Sequence, residues 1–179
     1  YTEITVIWKT DELKRSKPSP LDEAKWGLAV IEDSLWVTIP KVYKRLNDIF
    51  RKNLKKDLPR TFNPIQFGSW MGGDRDGNPN VTAEVTKKVI LFSRWQAAKL
   101  YEKEFTKLIQ DLSMKECSPQ IKRITGKTFE PYRVYLRPIR DKIRLTYQSI
   151  ENYLTKNEPI NDSKLLQDKN EILYPLRVV

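Results

Sequence analysis

Residues 67–82 read Phe67-Gly68-Ser69-Trp70-Met71-Gly72-Gly73-Asp74-Arg75-Asp76-Gly77-Asn78-Pro79-Asn80-Val81-Thr82. Three charged side chains, one tryptophan and four glycines share this short passage, a mixture that core packing does not ask for. The Arg75 guanidinium is a planar fork that grips a carboxylate or phosphate through two parallel hydrogen bonds. Gly72, Gly73 and Gly77 reach backbone angles denied to other residues. They let the chain approach a small anion and offer it N–H groups. Trp70 supplies an apolar wall, which dries such a site and strengthens its electrostatics. Asp74 and Asp76 have two readings: they hold Arg75 or nearby cations in place, or they cap N–H groups of the turn. Asn78-Pro79 is turn chemistry that fixes the exit of the loop. A plainer reading stands beside the chemical one, in which the three charges brace the loop by ion pairs and the glycines are conformational only. A calcium loop is a poor fit. It needs Gly at the sixth position and Glu at the twelfth, and counting from Asp74 these are Pro79 and Val85.

The elements that must position this run are mostly helices. Ile65 to Trp70 is short and apolar-rich and reads as a buried strand opening into the loop. Thr82 reads as the N-cap of the next helix, with Glu84 well placed for its dipole. That helix carries Val85, Val89, Phe92, Leu100, Phe105, Leu108 and Leu112 and runs to about Met114. Upstream, Ser19-Pro20-Leu21-Asp22 is an N-cap, a first-turn proline and an acid three residues on. Leu28, Ile31, Leu35 and Ile39 follow at helical spacing. Pro40 is expected to break or kink that helix, and Val42, Leu46, Ile49 and Phe50 resume the apolar face to about Leu54. Ser118-Pro119 starts a short helix over Ile121 and Ile124. Leu136, Ile139, Ile143, Tyr147, Ile150 and Leu154 form the cleanest stripe. Asn157 to Ser163 is a polar turn region, and a last helix covers Leu165 to Leu176. The expectation is a mainly α chain of about six helices with one or two short strands.

Composition narrows the chemistry. The chain has 179 residues, enough for one domain with a core. It contains no His, so it has no imidazole to act as base, proton shuttle or metal ligand. A single cysteine, Cys117, rules out an internal disulfide and a Cys-based zinc site and fits a reducing, cytoplasmic compartment. No long uncharged apolar run offers a membrane span. A chain that starts at Tyr1 and stops at Val179 within an apolar stretch reads as a cut fragment. The formal charge is +10, from 33 basic and 23 acidic residues. It raises the alternative of a helical nucleic-acid-binding module. That alternative leaves the 67–82 run unexplained, and the basic residues are spread along the whole chain. Duplex binding across a salt series separates the two readings.

The 67–82 run resembles the signature of phosphoenolpyruvate carboxylases, G-S-W-M-G-G-D-R-D-G-N-P-N-V-T. Trp8-Lys9-Thr10-Asp11-Glu12-Leu13, with Arg15, Pro18, Pro20, Asp22 and Glu23, is similar to a second segment of that family. Glu130-Pro131-Tyr132-Arg133 is similar to a third, and all three fall in the family's order. The resemblance implies a piece of a larger (β/α)8 barrel enzyme with many extra helices. Residues 65–70 would be one barrel strand and 71–80 its signature loop. Stripped of its neighbouring strands, Phe67 to Asn80 is expected to be disordered, rearranged or paired with another copy. The implied reaction joins bicarbonate to phosphoenolpyruvate, giving oxaloacetate and phosphate by way of carboxyphosphate and the enolate of pyruvate. Mg²⁺ or Mn²⁺ would be held by acids beyond this chain, and the catalytic His precedes it.

By the same resemblance Arg75, Asp74 and Asp76 take catalytic roles. Trp70, Met71, Gly72, Gly73 and Asn78 line the substrate pocket. Lys14, Arg15 and Arg133 are candidates for an allosteric anion site. Lys14 stands where Arg is common and lacks the planar fork. Glu130 has a plainer role as a surface partner of Arg133. Thr10, Asp11 and Glu12 read as bracing for a turn, and Trp8, Trp26, Trp36 and Trp95 as core or subunit-contact residues. The implied parent is a cytoplasmic homotetramer with no membrane or nucleic-acid partner. The fragment alone is expected to be inactive, and a non-catalytic scaffold is the remaining alternative.

Overall fold

The structure, a computed structural model, describes residues 1–9, 18–59 and 61–179. Among them the elements are α1 (Thr2–Lys9), α2 (Pro20–Val30), a π-turn (Ile31–Leu35), α3 (Trp36–Leu54), α4 (Ala83–Asp111), α5 (Pro119–Thr125), α6 (Pro131–Lys156), a 3₁₀ turn (Asp162–Lys164) and α7 (Asn170–Val178). The mainly α expectation holds. The strand expected over Ile65 to Trp70 does not form: residues 62–70 are irregular chain, and no strand occurs among the described residues. An isolated apolar run has no ladder to join, and a strand without neighbours leaves its N–H and C=O groups unpaired.

Local signals start the helices as read. Ser19 and Asp22 form a full capping box, with Ser19 Oγ accepting from Asp22 N at 3.2 Å. In return the Ser19 hydroxyl and N–H donate to Asp22 Oδ2 at 2.6 and 3.2 Å and hold the Asp22 carboxyl below its ordinary range. Thr82 Oγ1 accepts from Val85 N at 3.3 Å to open α4, and Ser118 Oγ accepts from Ile121 N at 3.3 Å to open α5. Asn157 closes α6 in the left-handed conformation at φ 57°, a geometry that Asn tolerates.

Two boundaries differ from the sequence reading. Pro40 does not break its helix but lies inside α3. The irregularity falls upstream, where Trp36 N–H reaches back five residues to Ile31 O. Gln96 secures this junction from α4: its buried amide donates to Leu28 O at 3.1 Å and to Glu32 Oε2 at 2.8 Å. The last helix begins at Asn170, because Leu165 and Leu166 run as extended connection. Leu166 N donates to the hydroxyl of buried Thr146 at 3.0 Å.

The core sits between α4 and α6. Phe105, Ile109 and Ala98 meet Leu136 and Ile143, and α7 adds Ile172. Leu136, Ile143 and Ile150, the centre of the stripe read from the sequence, are fully buried. Three bridges show that the two helices run antiparallel. Arg133 bonds the carbonyls of Ile109 and Gln110, Arg144 pairs with Glu102, and Lys87 sits 5.0 Å above the Tyr153 ring.

The tryptophans divide. Trp36 packs edge-on against Tyr101 at 5.1 Å and Trp95 stacks on Phe92 at 5.2 Å. Trp8 and Trp26 lie outside the core, largely exposed at 87% and 50%. α3 has an apolar stripe but buries none of its residues. Among the described residues no helix is long and apolar enough to cross a membrane.

Candidate functional site: the glycine-rich loop

The loop from Trp70 to Asn80 consists of two tight turns, each anchored by backbone hydrogen bonds. In the first, Trp70 O accepts from Gly73 N at 3.0 Å and from Asp74 N at 2.9 Å. Gly72 stands at φ +70° inside that turn. In the second, Arg75 O accepts from Asn78 N. Asp76 and Gly77 at its centre both have positive φ, 32° and 72°, as in a type I′ turn, where Asp-Gly is the favoured pair. Asn78 then makes the exit: its Oδ1 accepts from Asn80 N at 3.0 Å, and its carbonyl accepts from Val81 N at 3.2 Å. The backbone N–H groups of Gly73, Asp74 and Asn78 are therefore turned to the loop's own carbonyls. Among the three glycines, Gly73 thus spends its N–H within the loop rather than offering it to an anion.

Among the described residues, the loop leans on the body only at its first turn. The Met71 side chain is half-buried and fills the space over Gly27 of α2. Gly72 is buried against Val89 of α4, where a Cβ would come within 2.5 Å of Val89 Cγ2. Thr86 Oγ1 donates to Gly72 O at 2.6 Å. Beyond that turn the chemistry-bearing residues face outward. Trp70 is 77% exposed. Gly73, Asp74, Arg75, Asp76 and Asn78 are exposed, and among the described residues the three charged side chains make no ion pair within 4.0 Å. Bracing by ion pairs is thus not how this loop keeps its shape. Its turns and its anchored start do that, and Arg75 is left with its whole fork unspent.

Arg133 lies at the other end of α4. Its Nε donates to Ile109 O at 2.7 Å, Nη2 to Gln110 O at 3.0 Å and Nη1 to Glu130 Oε1 at 2.5 Å. It caps the last carbonyls of α4 and pairs with Glu130 as the plainer reading has it. Lys14 and Arg15, with Thr10, Asp11 and Glu12, lie outside the described residues. No group of three or more His, Cys, Asp or Glu residues capable of holding a metal occurs among the described residues. Asp74 and Asp76 alone do not make a metal centre.

Sequence reasoning found the loop but missed Gly27, Thr86 and Val89, which support it. One signal was present: a lone Gly inside a helical pattern costs about 1 kcal/mol relative to Ala, so Gly27 calls for a packing reason.

The sequence profile described as phosphoenolpyruvate carboxylase covers residues 1–179. The chain belongs to the phosphoenolpyruvate carboxylase family. It is 43% identical over 175 residues to the phosphoenolpyruvate carboxylase of Acinetobacter baumannii, which covers 97% of this chain and 20% of that protein. It is 44% identical over 176 residues to that of Alcanivorax borkumensis, covering 98% of this chain and 20% of the relative. The enzyme of the same name from Pseudomonas aeruginosa is 42% identical over 175 residues, again over 98% of this chain and 20% of the relative. The chain thus spans about a fifth, 20%, of the length of these curated relatives.

Proposed function

We propose that this chain is one wall of the reaction pocket in a parent enzyme that carboxylates phosphoenolpyruvate with bicarbonate, giving oxaloacetate and phosphate. The observation that carries the reading is the loop itself: an exposed Trp70 and an unpaired Arg75, on two hydrogen-bonded turns, in a chain matched over its whole length by the family. A buried ion pair would have consumed the Arg75 fork. Left free, it grips an anion once the rest of the parent closes over it and excludes water, where a charge-assisted contact is strongest. Trp70 supplies the apolar side of that enclosure. Asp74 and Asp76 flank Arg75 in the loop and take their partners from the closed parent, and Met71, Gly72, Gly73 and Asn78 shape the floor.

In the parent, residues 65–70 act as a barrel strand between neighbours that this chain lacks, and 71–80 as the loop at its C-terminal end. That is the end where barrel enzymes place their chemistry. The divalent cation of the parent, magnesium or manganese, takes its ligands from outside this chain. The parent is a cytoplasmic homotetramer, and the chain alone does not turn over. An allosteric anion site draws on Lys14 and Arg15, with Arg133 contributing only the N–H groups not already turned to α4 and Glu130.

The test is Arg75→Ala in the full-length parent, in an oxaloacetate-coupled assay with Mg²⁺ and bicarbonate. Turnover falls on the order of 10²-fold or more, while thermal stability changes little. A variant that melts far earlier, with normal turnover in its folded fraction, returns Arg75 to a bracing role.

A further inference from the structure

We infer that Thr86 and Gly27 are positioning residues for the 70–80 loop: one ties its two ends together, the other holds its start, and so they fix where Trp70 and Arg75 stand. This rests on the reading of the loop as part of the carboxylation pocket. The loop has no strand or helix of its own, and its charged side chains make no ion pair among the described residues, so its placement depends on a few contacts at the first turn.

Thr86 makes the first contact. Its hydroxyl reaches Gly72 O at 2.6 Å, where the loop begins, and Thr82 O at 3.1 Å, where the loop ends and α4 opens. A hydroxyl has one proton, and the shorter distance gives Gly72 the larger share. A single side chain thus closes the ring of backbone that carries Asp74, Arg75 and Asp76.

The second contact is a notch. A Cβ on Gly27 would stand 2.2 Å from Met71 Cε and 2.5 Å from Met71 Sδ, so a larger residue there drives the end of that flexible methionine out of its seat. Gly72 meets the same limit against Val89, with positive φ besides. Met71 is covalently next to Trp70, and Gly72 is held within the turn that ends at Asp74. A displacement at either anchor passes to Trp70 on one side and to Arg75 on the other. Misplacement on the order of 1 Å in a reacting constellation lowers rates by as much as about 10²-fold.

The experiment uses the full-length parent and two readouts: hydrogen exchange of the peptide over 67–82, and steady-state kinetics. Thr86→Val keeps the shape and removes the donor. It is expected to speed exchange at Gly73 and Asp74 and to lower kcat/KM about tenfold, the worth of one hydrogen bond, with the melting temperature unchanged. Thr86→Ser restores both. Gly27→Ala has the same effects, and Gly27→Ala combined with Met71→Ala costs no more than Met71→Ala alone, because the two share one contact.

The proposal is overturned if Thr86→Val leaves exchange and kinetics as in the parent. It is also overturned if the loss of activity only follows the loss of folded enzyme and Ser is no better than Val. Arg75→Ala, run in parallel, separates the two readings. Normal turnover there with faster loop exchange in Thr86→Val sinks the pocket and keeps the anchor. Slow turnover there with unchanged exchange in Thr86→Val sinks the anchor alone.

Discussion

The α4–α6 pair and the stretch from α3 to Trp70 show two ways for an apolar pattern to end up. Both α6 and α3 carry an apolar stripe at helical spacing in the sequence. In α6 the stripe is consumed within the chain, and Leu136, Ile143 and Ile150 are fully buried. In α3 it is not: Val42 is 41%, Ile49 50% and Leu54 59% exposed. Phe67 and Trp70 just beyond are exposed as well. A groove of about 810 Å³ beside Ile39, Pro40, Phe67 and Tyr101 marks the same open face. The difference teaches that a stripe reports what a helix needs, not who supplies it. α6 finds its partner within the chain, whereas α3 and the 62–70 segment keep their apolar side chains open, in a chain that spans about a fifth, 20%, of the length of its curated relatives.

That contrast can be broken from its strong side first. Ile143→Ala removes a fully buried side chain at the centre of the α4–α6 core and is expected to destabilise the chain by about 2–5 kcal/mol, read from urea unfolding. A loss near zero would mean that the pair is not the structural centre. Next, Arg133→Gln strips the end of α4 of its cap and leaves Glu130 without its close partner. The expected cost is about 1–3 kcal/mol, with faster amide exchange in the last turn of α4 as the specific sign.

The docking of α7 is a smaller effect and depends on pH. Lys142 beside Glu171, with the backbone N–H groups of Gln167 and Asp168, holds the Glu171 carboxyl below its ordinary range. A depressed folded value stabilises the fold above the unfolded glutamate range, and the contribution is lost as pH falls through the folded value. Melting temperature followed downward from neutral pH should therefore drop more in the unsubstituted chain than in Glu171→Gln below about pH 4.3. Parallel curves would remove this contact from the account. The smallest effect sharpens the comparison from its weak side. Ile49→Ala should change the stability of this chain by no more than about 0.5 kcal/mol, yet destabilise the full-length parent clearly. Equal, negligible effects in both would leave the α3 stripe without a purpose.

What the sequence made legible follows from the range of the interactions. Ser19, Thr82 and Ser118 act on N–H groups three residues away, so their caps could be read directly. The α6 stripe could be read because its spacing is a property of one helix. Residues 65–70 could not, since an apolar run does not say whether strands lie beside it. The π-turn was hidden for a similar reason. Pro40 drew attention as the expected breaker, while Gln96, which holds the actual irregularity, lies 64 residues from Glu32. In the candidate site the chemical residues were plain from the run itself. The destination of the loop's N–H groups and the supports at Gly27, Thr86 and Val89 were not, because they depend on where α2 and α4 meet.

The π-turn at Ile31–Leu35 has a bearing on insertions and deletions. It holds one more residue than an α-turn would, and it sweeps nearly the same rotation about the axis. A deletion of one residue there would let the turn close to an ordinary α-turn and leave the apolar stripe of α3 pointing much as before. The same deletion a few residues further on, inside α3, has no slack to draw on and would rotate everything beyond it by about 100°. The short π-turn is thus the one place along α2 and α3 where a codon could be lost without re-aiming the helix that follows.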